Sequence, residues 1–223
     1  INVAIDVQTY VDLQPESHSK ISIHSRDYNQ NWSFDSIQCF LKDNTPQLQL
    51  YRCAVQFFKD SGVQVETYGF SLSTASESPI GGGLGGSSSL MISLLKGFSH
   101  MYEYTFQDVH HMVHCAHNIE AAILMTPTGT QDYYPAVTDG LSVLTYSSCG
   151  IQQEVLDVSG SPMDSHFLLV YTGKSHHSGL NNFEVLKACV EKNEKVLSAL
   201  KKINEISYKM LEVIRSRDWE KVP

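Results

Sequence analysis

Short stretches of alternating apolar and polar residues predict strands in several parts of the chain, because period two is the pattern of a half-buried strand. These stretches are residues 1–13, 20–25, 63–70, 141–146, 152–158 and 166–171. Leu50, Ala54, Phe57 and Phe58 instead recur at helical spacing, and Gly62 is suited to end that helix. Strands and helices mix without strict alternation, so we predict the α+β fold class.

Helices are also predicted in the middle and at the end of the chain. An apolar run from Leu90 follows a glycine-rich segment. Thr105 is expected to cap the next helix, with Asp108 in the fourth place of a capping-box-like pattern, and that helix extends to about Leu124. From Glu184 onward two apolar stripes predict helix, and the second stripe could lie on a separate helix.

Composition and charge exclude several classes of protein. The chain has 223 residues, 42% of them apolar and 18% charged, which excludes disordered and fibrous classes and allows one large or two small domains. A net charge of −8 argues against coating nucleic acid or an anionic membrane. No apolar run reaches the roughly 18 residues of a membrane span. We therefore expect neither nucleic acid nor membrane as a partner.

Five widely spaced cysteines without a CxxC pattern favour free thiols in a reducing compartment, so a cytoplasmic location is expected. The chain begins with a strand-like segment at Ile1 and stops without a clear terminus at Pro223. We expect an excerpt of a longer protein at both ends.

Basic side chains are nearly absent from the centre of the chain, where Lys96 is the sole Lys or Arg between Asp60 and Gly173. An anionic ligand bound there must be held mainly by other groups. The glycine-rich segment at residues 79–89 could supply them, because glycines let backbone amides converge on a ligand. The segment runs into an apolar helix, whose free amides and dipole favour an anion.

Other interpretations of this segment are weaker. No Lys follows the glycines, so the GxxxxGK[ST] phosphate loop is absent. Gly81, Gly83 and Gly86 fit the pattern GxGxxG. A dinucleotide-binding fold would, however, have its next strand after this loop, ending in an acidic residue, and the chain is predicted to be helical there. A flexible Gly/Ser linker rarely leads directly into an apolar helix.

The pattern Pro-x-x-x-Gly-Leu-Gly-Gly-Ser-Ser at residues 79–88 resembles the phosphate-binding motif of the GHMP kinases, with glycine where the family commonly has its first serine. The resemblance implies a two-domain fold. This fold has a ribosomal protein S5 domain 2-like nucleotide-binding domain, placed at residues 1–150, and a ferredoxin-like domain that begins at residues 151–223. It also implies ATP and Mg²⁺ as cofactors. The implied ATP-binding residues are Pro79, Gly81, Gly82, Gly83, Leu84, Gly85, Gly86, Ser87 and Ser88.

Two carboxylates complete the resemblance. Glu120 lies late in an apolar helix, where an acid prefers to be paired or to bind metal, and Asp132 follows a turn that contains Gly129. The family pattern implies Glu120 and Ser87 as Mg²⁺ ligands, although the serine assignment could shift by one residue. It implies Asp132 as the catalytic base.

The form Gly-x-Gln-Asp-x-Tyr around Asp132 looks most like the heptose 7-phosphate kinase branch, so a sugar or sugar phosphate is the implied substrate. The strand-and-loop at residues 171–182 resembles that branch as well. The implied substrate-binding residues are Gly129, Gln131, Tyr134, Lys174 and His177. The family's N-terminal substrate segment and C-terminal glycine-rich motif would lie outside this chain.

Several alternatives stay open on the sequence. Another acceptor, such as galactose or an isoprenoid alcohol, would fit the same motifs, as would a catalytically silent nucleotide- or sugar-binding relative. His110, His114 and His117 share one helix face with spacing suitable for a metal, but a polar helix face is the better interpretation. The oligomeric state is also open, with a homodimer as one candidate.

Overall fold

A computed structural model describes residues 1–174 and 178–222, and its strands form two sheets. The strands in chain order are β1 (Asn2–Val3), β2 (Thr9–Glu16), β3 (Ile21–Ser25), β4 (Gln30–Phe34), β5 (Gly69–Ser76), β6 (Leu141–Ser147) and β7 (Gly150–Leu156). The larger sheet has the order β2-β5-β3-β4, in which β3 and β5 are parallel and the other neighbours antiparallel. The smaller sheet, β1-β6-β7, is antiparallel. The predicted mixture of strands and helices is confirmed.

Seven α-helices lie in the described part of the chain. They are α1 (Ile37–Lys42), α2 (Gln49–Asp60), α3 (Gly86–Met101), α4 (Val109–Leu124), α5 (Met163–His166), α6 (Ser178–Val190) and α7 (Glu194–Ser216). None of the helices described is long and apolar enough to cross a bilayer. The break between the two C-terminal helices falls at residues 191–193, where the Asn193 side chain accepts a hydrogen bond from the Val196 amide.

One hydrophobic core joins the larger sheet to α2, α3 and α4. Aromatic rings fill much of it: Phe58 contacts Phe98 at 6.1 Å between centroids, and Phe98 contacts Phe70 at 5.2 Å. Such pairs add specific ring geometry to the burial of apolar area. This core holds β5, α3 and α4 in fixed relation, and these elements carry the candidate site.

Some predicted elements are wrong in detail. The alternation over residues 1–13 is divided between β1 and β2, which belong to different sheets. The strand predicted over 63–70 starts only at Gly69, after a 3-10 turn at Val65–Thr67, and continues to Ser76. The expected cap Thr105 is also wrong. Asp108 caps α4, its carboxylate accepting from the His111 amide at 2.7 Å, and aspartate is among the preferred capping residues.

The strand predicted over residues 166–171 is wrong as well. The described backbone there is the end of α5 followed by residues outside any ladder. A strand needs a partner for its amides and carbonyls, and the apolar pattern does not specify one. The proposed boundary between domains at residue 150 lies at the turn of the β6–β7 hairpin, so both sides of it belong to one sheet.

Candidate active site

The glycine-rich segment connects the end of β5 to the start of α3. Its first residues are anchored: the Ser76 amide donates to Asp27 Oδ1 at 2.9 Å, and Glu77 Oε2 accepts from the Gln8 amide at 2.9 Å. A turn follows, closed by the Gly82 amide donating to the Pro79 carbonyl at 2.9 Å. The loop therefore leaves a fixed strand end and returns to a fixed helix.

Gly85 is the N-cap residue of α3 and adopts a left-handed conformation, with φ of 68°. Because glycine has no side chain, nothing at the cap position occupies the amides of the first helical turn, which contains Gly86, Ser87 and Ser88. Free amides and the positive end of a helix dipole form a site for a phosphate. The open helix end that the sequence predicts is present, and anion binding there stays a prediction.

Gly85 is also the residue at which the glycine-rich segment approaches Asp132. A Cβ atom on Gly85 would lie 3.1 Å from Cβ of Asp132, which is tighter than ordinary van der Waals contact. Asp132 lies in a 3-10 turn, Gln131–Tyr133, that packs against both α3 and α4. The absence of a side chain at Gly85 thus lets the glycine-rich segment approach Asp132.

Glu120 lies on the inner side of α4 and is 4% exposed. Burial raises the pKa of its carboxyl, whereas hydrogen bonds from the side chains of Ser87, Tyr133 and Ser88 lower it. The nearby charge of Asp132 adds a smaller upward contribution. Among the described residues, the Oε2 atom of Glu120 is buried without a hydrogen-bond partner. A buried acceptor in this state is costly unless another group satisfies it.

Asp132 is at the solvent-facing side of this cluster. Its residue surface is exposed, yet the surrounding protein atoms still raise the pKa of its carboxyl by desolvation. The two predicted carboxylates therefore lie in different environments, with Glu120 enclosed and Asp132 accessible. The backbone carbonyl of the preceding residue, Gln131, accepts from Asn2 Nδ2 at 2.9 Å, which ties the Asp132 turn to β1.

The residues of the cluster fit a magnesium ion. No group of three His, Cys, Asp or Glu side chains suited to a metal occurs in the part of the chain that the structure describes. Mg²⁺ does not need one, since it is usually held by one or two carboxylates together with phosphates and water. Glu120 with its unpaired oxygen, and the hydroxyls of Ser87 and Ser88 beside it, supply such a partial set.

The predicted substrate residues are less closely gathered. Gly129 and Gln131 flank the turn of Asp132, and a Cβ on Gly129 would lie 3.2 Å from Gln131 Oε1. Lys174 is exposed on a segment without regular structure, and His177 lies outside the described residues. Their roles stay predictions.

The Tyr134 hydroxyl bonds a residue outside the cluster of Glu120 and Asp132. It is 1% exposed, and its hydroxyl is 2.9 Å from His110 Nδ1. His110 lies ten residues before Glu120 on the same helix, which is about 15 Å along the axis. Tyr134 and His110 line a cavity of about 400 Å³ between the start of α4 and β7. A role for Tyr134 at the acceptor stays a prediction.

Two of the three histidines on that face of α4 bond within the protein. His110 pairs with Tyr134, and His117 Nε2 is 3.1 Å from the Thr128 carbonyl oxygen. These contacts agree with the polar helix face preferred on the sequence.

Sequence reasoning missed three groups near the site. They are the Asn2 amide, the Tyr133 hydroxyl beside Glu120, and the buried hydroxyl of Thr128. Tyr133 directly follows Asp132, but nothing in the sequence separates its environment from that of Tyr134.

One comparison with known proteins covers the region that carries this geometry. Residues 49–140 match the family of GHMP kinases, N terminal domain. The match covers less than half of the chain, and it indicates a GHMP kinase N-terminal domain over those residues; GHMP kinases use ATP as phosphate donor. The similarity of the chain lies with the sugar kinase branch.

The D-glycero-alpha-D-manno-heptose 7-phosphate kinase of Campylobacter jejuni is 24% identical over 225 residues, covering 98% of this chain and 64% of that protein. The chain thus spans less than two thirds of the curated relative. The crystal structure of a D-glycero-D-manno-heptose 1-phosphate kinase from Bacteroides thetaiotaomicron aligns with a TM-score of 0.60 at 21% identity, over 68% of this chain and 49% of that one. A Lin0012 protein from Listeria innocua aligns with a TM-score of 0.72 at 17% identity, over 96% and 66%.

Proposed function

We propose that the chain transfers the γ-phosphoryl group of ATP to a sugar hydroxyl, with the anomeric hydroxyl of a heptose 7-phosphate as acceptor. The observation that carries this proposal is the arrangement at the start of α3. There an uncapped helix end and the accessible carboxylate of Asp132 meet at Gly85, and the buried carboxylate of Glu120, with its unpaired oxygen, lies beside the serines of the first helical turn. The heptose acceptor is supported by the similarity to the Campylobacter jejuni enzyme.

In this proposal the donor phosphates lie against the amides of the loop and of the first turn of α3. This placement needs few basic side chains, which suits a segment with Lys96 as its sole Lys or Arg. Lys96 itself is committed elsewhere, because its Nζ donates to the Ala136 carbonyl at 3.0 Å. Glu120 and the serine hydroxyls hold Mg²⁺, which when bound neutralises charge on the phosphates.

Asp132 orients the acceptor hydroxyl and receives its proton. A bond forms between the acceptor oxygen and the γ-phosphorus, the bond from that phosphorus to the bridging oxygen of ADP breaks, and the proton passes to the Asp132 carboxylate. A raised pKa favours this role, since a base is most useful when its pKa approaches the working pH.

An acceptor panel tests the proposal. The chain is incubated with ATP, Mg²⁺ and, separately, D-glycero-D-manno-heptose 7-phosphate, galactose or mevalonate, and ³¹P NMR follows product formation. We expect a new anomeric phosphate resonance with the heptose and at least about tenfold slower transfer to the other two, a difference of roughly 1.4 kcal/mol. Faster transfer to galactose or mevalonate would contradict the heptose acceptor but would still support kinase activity. Binding of Mg·ATP without transfer to any acceptor would identify a silent relative.

A further inference from the structure

Asn2 joins the smaller sheet to the peptide group that precedes Asp132. Its Nδ2 atom donates to the Gln131 carbonyl at 2.9 Å, across 129 positions of the chain. The carbonyl of Gln131 and the amide of Asp132 belong to one planar peptide group. A hydrogen bond that holds this carbonyl therefore also holds the peptide plane from which the Asp132 side chain projects.

Asn2 is itself held in place by the sheet. It lies opposite Ser142 in the antiparallel pairing of β1 with β6. Just beyond this pair, the Ala4 amide donates to the Gly140 carbonyl at 2.9 Å. Residues that lie opposite each other in a ladder share a face of the sheet, and Ser142 is 2% exposed. The side chain of Asn2 is thus on the buried face of β1, where its backbone is fixed by strand pairing.

The second polar atom of the Asn2 side chain is not satisfied in the same way. Among the residues that the structure describes, Oδ1 of Asn2 is buried and has no hydrogen-bond donor. An unsatisfied buried acceptor is costly, so the gain from the bond to Gln131 is offset within the same side chain. Stability alone therefore gives asparagine little advantage over an apolar residue of similar size at this position.

Other side-chain bonds between the smaller sheet and this segment are of a different kind. The Tyr146 hydroxyl is 2.9 Å from Thr130 Oγ1, and Gln153 Nε2 donates to Thr138 Oγ1 at 2.7 Å. Both bonds engage side-chain hydroxyls, so neither fixes a peptide plane, and Tyr146 is 55% exposed. Of these three bonds, the one from Asn2 alone restrains the backbone beside Asp132.

We propose that Asn2 is a positioning residue for Asp132: its amide holds the Gln131 carbonyl, and thereby the peptide plane that sets the direction of the Asp132 carboxylate. The inference rests on the proposed function, since it takes Asp132 as the base that receives the acceptor proton. A base must lie within hydrogen-bond reach of that proton, and a small displacement lowers the rate strongly.

Asn2→Leu removes the donor and keeps a side chain of similar size. With the heptose acceptor we expect kcat to fall about tenfold, because Asp132 is less well oriented, whereas KM for ATP changes by less than about twofold. The melting temperature should change by no more than about 2 °C, because leucine removes the unsatisfied Oδ1 together with the bond. An unchanged kcat, or a loss of kcat that only follows a loss of folded protein, would overturn the proposal.

Gln153→Leu is the matched control. It also removes an amide side chain that ties the smaller sheet to this segment, but its bond falls at Thr138, beyond Asp132. We expect kcat to stay within about twofold of wild type. An equal fall of kcat in Gln153→Leu and Asn2→Leu would mean that any loosening of the sheet slows transfer, and the specific role of Asn2 would be refuted.

Asn2→Asp tests whether donation by the amide is what matters. Aspartate has the shape of asparagine, but its ionised carboxylate has no hydrogen to donate to the Gln131 carbonyl. This variant should therefore be at least as slow as Asn2→Leu, and a wild-type kcat would contradict the proposal. Asn2→Asp also takes the place of Asn2→Leu if the leucine variant does not fold.

Hydrogen exchange separates this inference from the proposed function, because it needs no turnover. Peptides that cover residues 130–134 should exchange faster in Asn2→Leu than in wild type, whereas peptides from α2 should be unchanged. A wild-type chain that transfers phosphate to no acceptor refutes the proposed function, and the role of Asn2 in catalysis with it. In an active wild type, an Asn2→Leu variant with unchanged exchange or unchanged kcat refutes the inference alone.

Discussion

The two ends of the chain bury their apolar residues very differently. In the described structure, residues 1–156 contain every buried apolar side chain except Ile214, and most of these side chains form a continuous core around the larger sheet. The described residues beyond 156 form three α-helices, and most of the apolar side chains described there are exposed. On α7, the exposed ones include Leu197, Leu200, Ile203 and Ile206.

The candidate site lies wholly in the well-packed region. The glycine loop, Glu120 and Asp132 are positioned by β5, α3, α4 and one 3-10 turn, all of which contact the core. The α7 helix reaches this region through exposed ion pairs with the hairpin, such as Arg215 with Glu154, and through buried Ile214. On the proposed function, nucleotide and metal binding should depend on the first 156 residues, and mutations in α7 should leave that binding intact.

The largest expected effect concerns Asp132. If it receives the acceptor proton, Asp132→Asn should lower turnover by about 10²–10⁴-fold, the usual contribution of a general base. ATP affinity should be retained. Asp139→Asn, seven residues further along the chain, is the control and should keep near wild-type turnover. Steady-state kinetics with a heptose acceptor provide the measurement, and a fully active Asp132→Asn variant would remove Asp132 from the base role.

A matched isoleucine pair sharpens the contrast in packing. Ile92 on α3 is 0% exposed, whereas Ile203 on α7 is 60% exposed. Ile92→Ala should lower the free energy of unfolding by about 2–5 kcal/mol, because it leaves a cavity in the core. Ile203→Ala should change it by less than about 0.5 kcal/mol. Chemical denaturation measures both, and a similar cost at the two sites would show that the face of α7 is covered in solution.

A glycine pair isolates the close approach of the loop to Asp132. Gly85 and Gly62 both have positive φ, at 68° and 87°, so alanine should strain either backbone by about 1–2 kcal/mol. The Cβ of Gly85→Ala would also press on Asp132, whereas nothing lies within 4 Å at Gly62. We expect Gly85→Ala to reduce turnover by about tenfold or more beyond Gly62→Ala. Equal turnover in the two variants would show that the close approach of the loop to Asp132 does not affect catalysis.

The smallest expected effect is a gain in stability. Burial raises the pKa of Glu120 above its unfolded value, so ionising this carboxyl disfavours the folded state once the pH exceeds the unfolded pKa. In metal-free protein near neutral pH, Glu120→Gln should therefore raise the melting temperature, by about 2–4 °C for each kcal/mol recovered. The gain should vanish at a pH below the unfolded pKa, where both forms are neutral. Calorimetry across pH measures this, and a gain that is independent of pH would contradict the explanation.

The sequence predicts much of the site because its chemistry is local. A run of glycines before an apolar helix specifies an open helix end, and Glu120 at an inner position of α4 could be inferred from its apolar neighbours. The strand predicted over 166–171 failed because an apolar stretch does not reveal whether a partner strand exists. The different surroundings of Tyr133 and Tyr134 could not be inferred, because tertiary packing alone decides which of two adjacent tyrosines bonds His110.

Calorimetric titration of the chain with ATP, with and without Mg²⁺, in wild type and Glu120→Gln tests directly whether Glu120 holds a metal beside the phosphates. We expect wild type to bind ATP more tightly when Mg²⁺ is present, and we expect Glu120→Gln to lose this gain while still binding metal-free ATP through the loop amides. A wild-type chain that binds no ATP, or a Glu120→Gln variant with the full Mg²⁺ gain, would contradict this expectation.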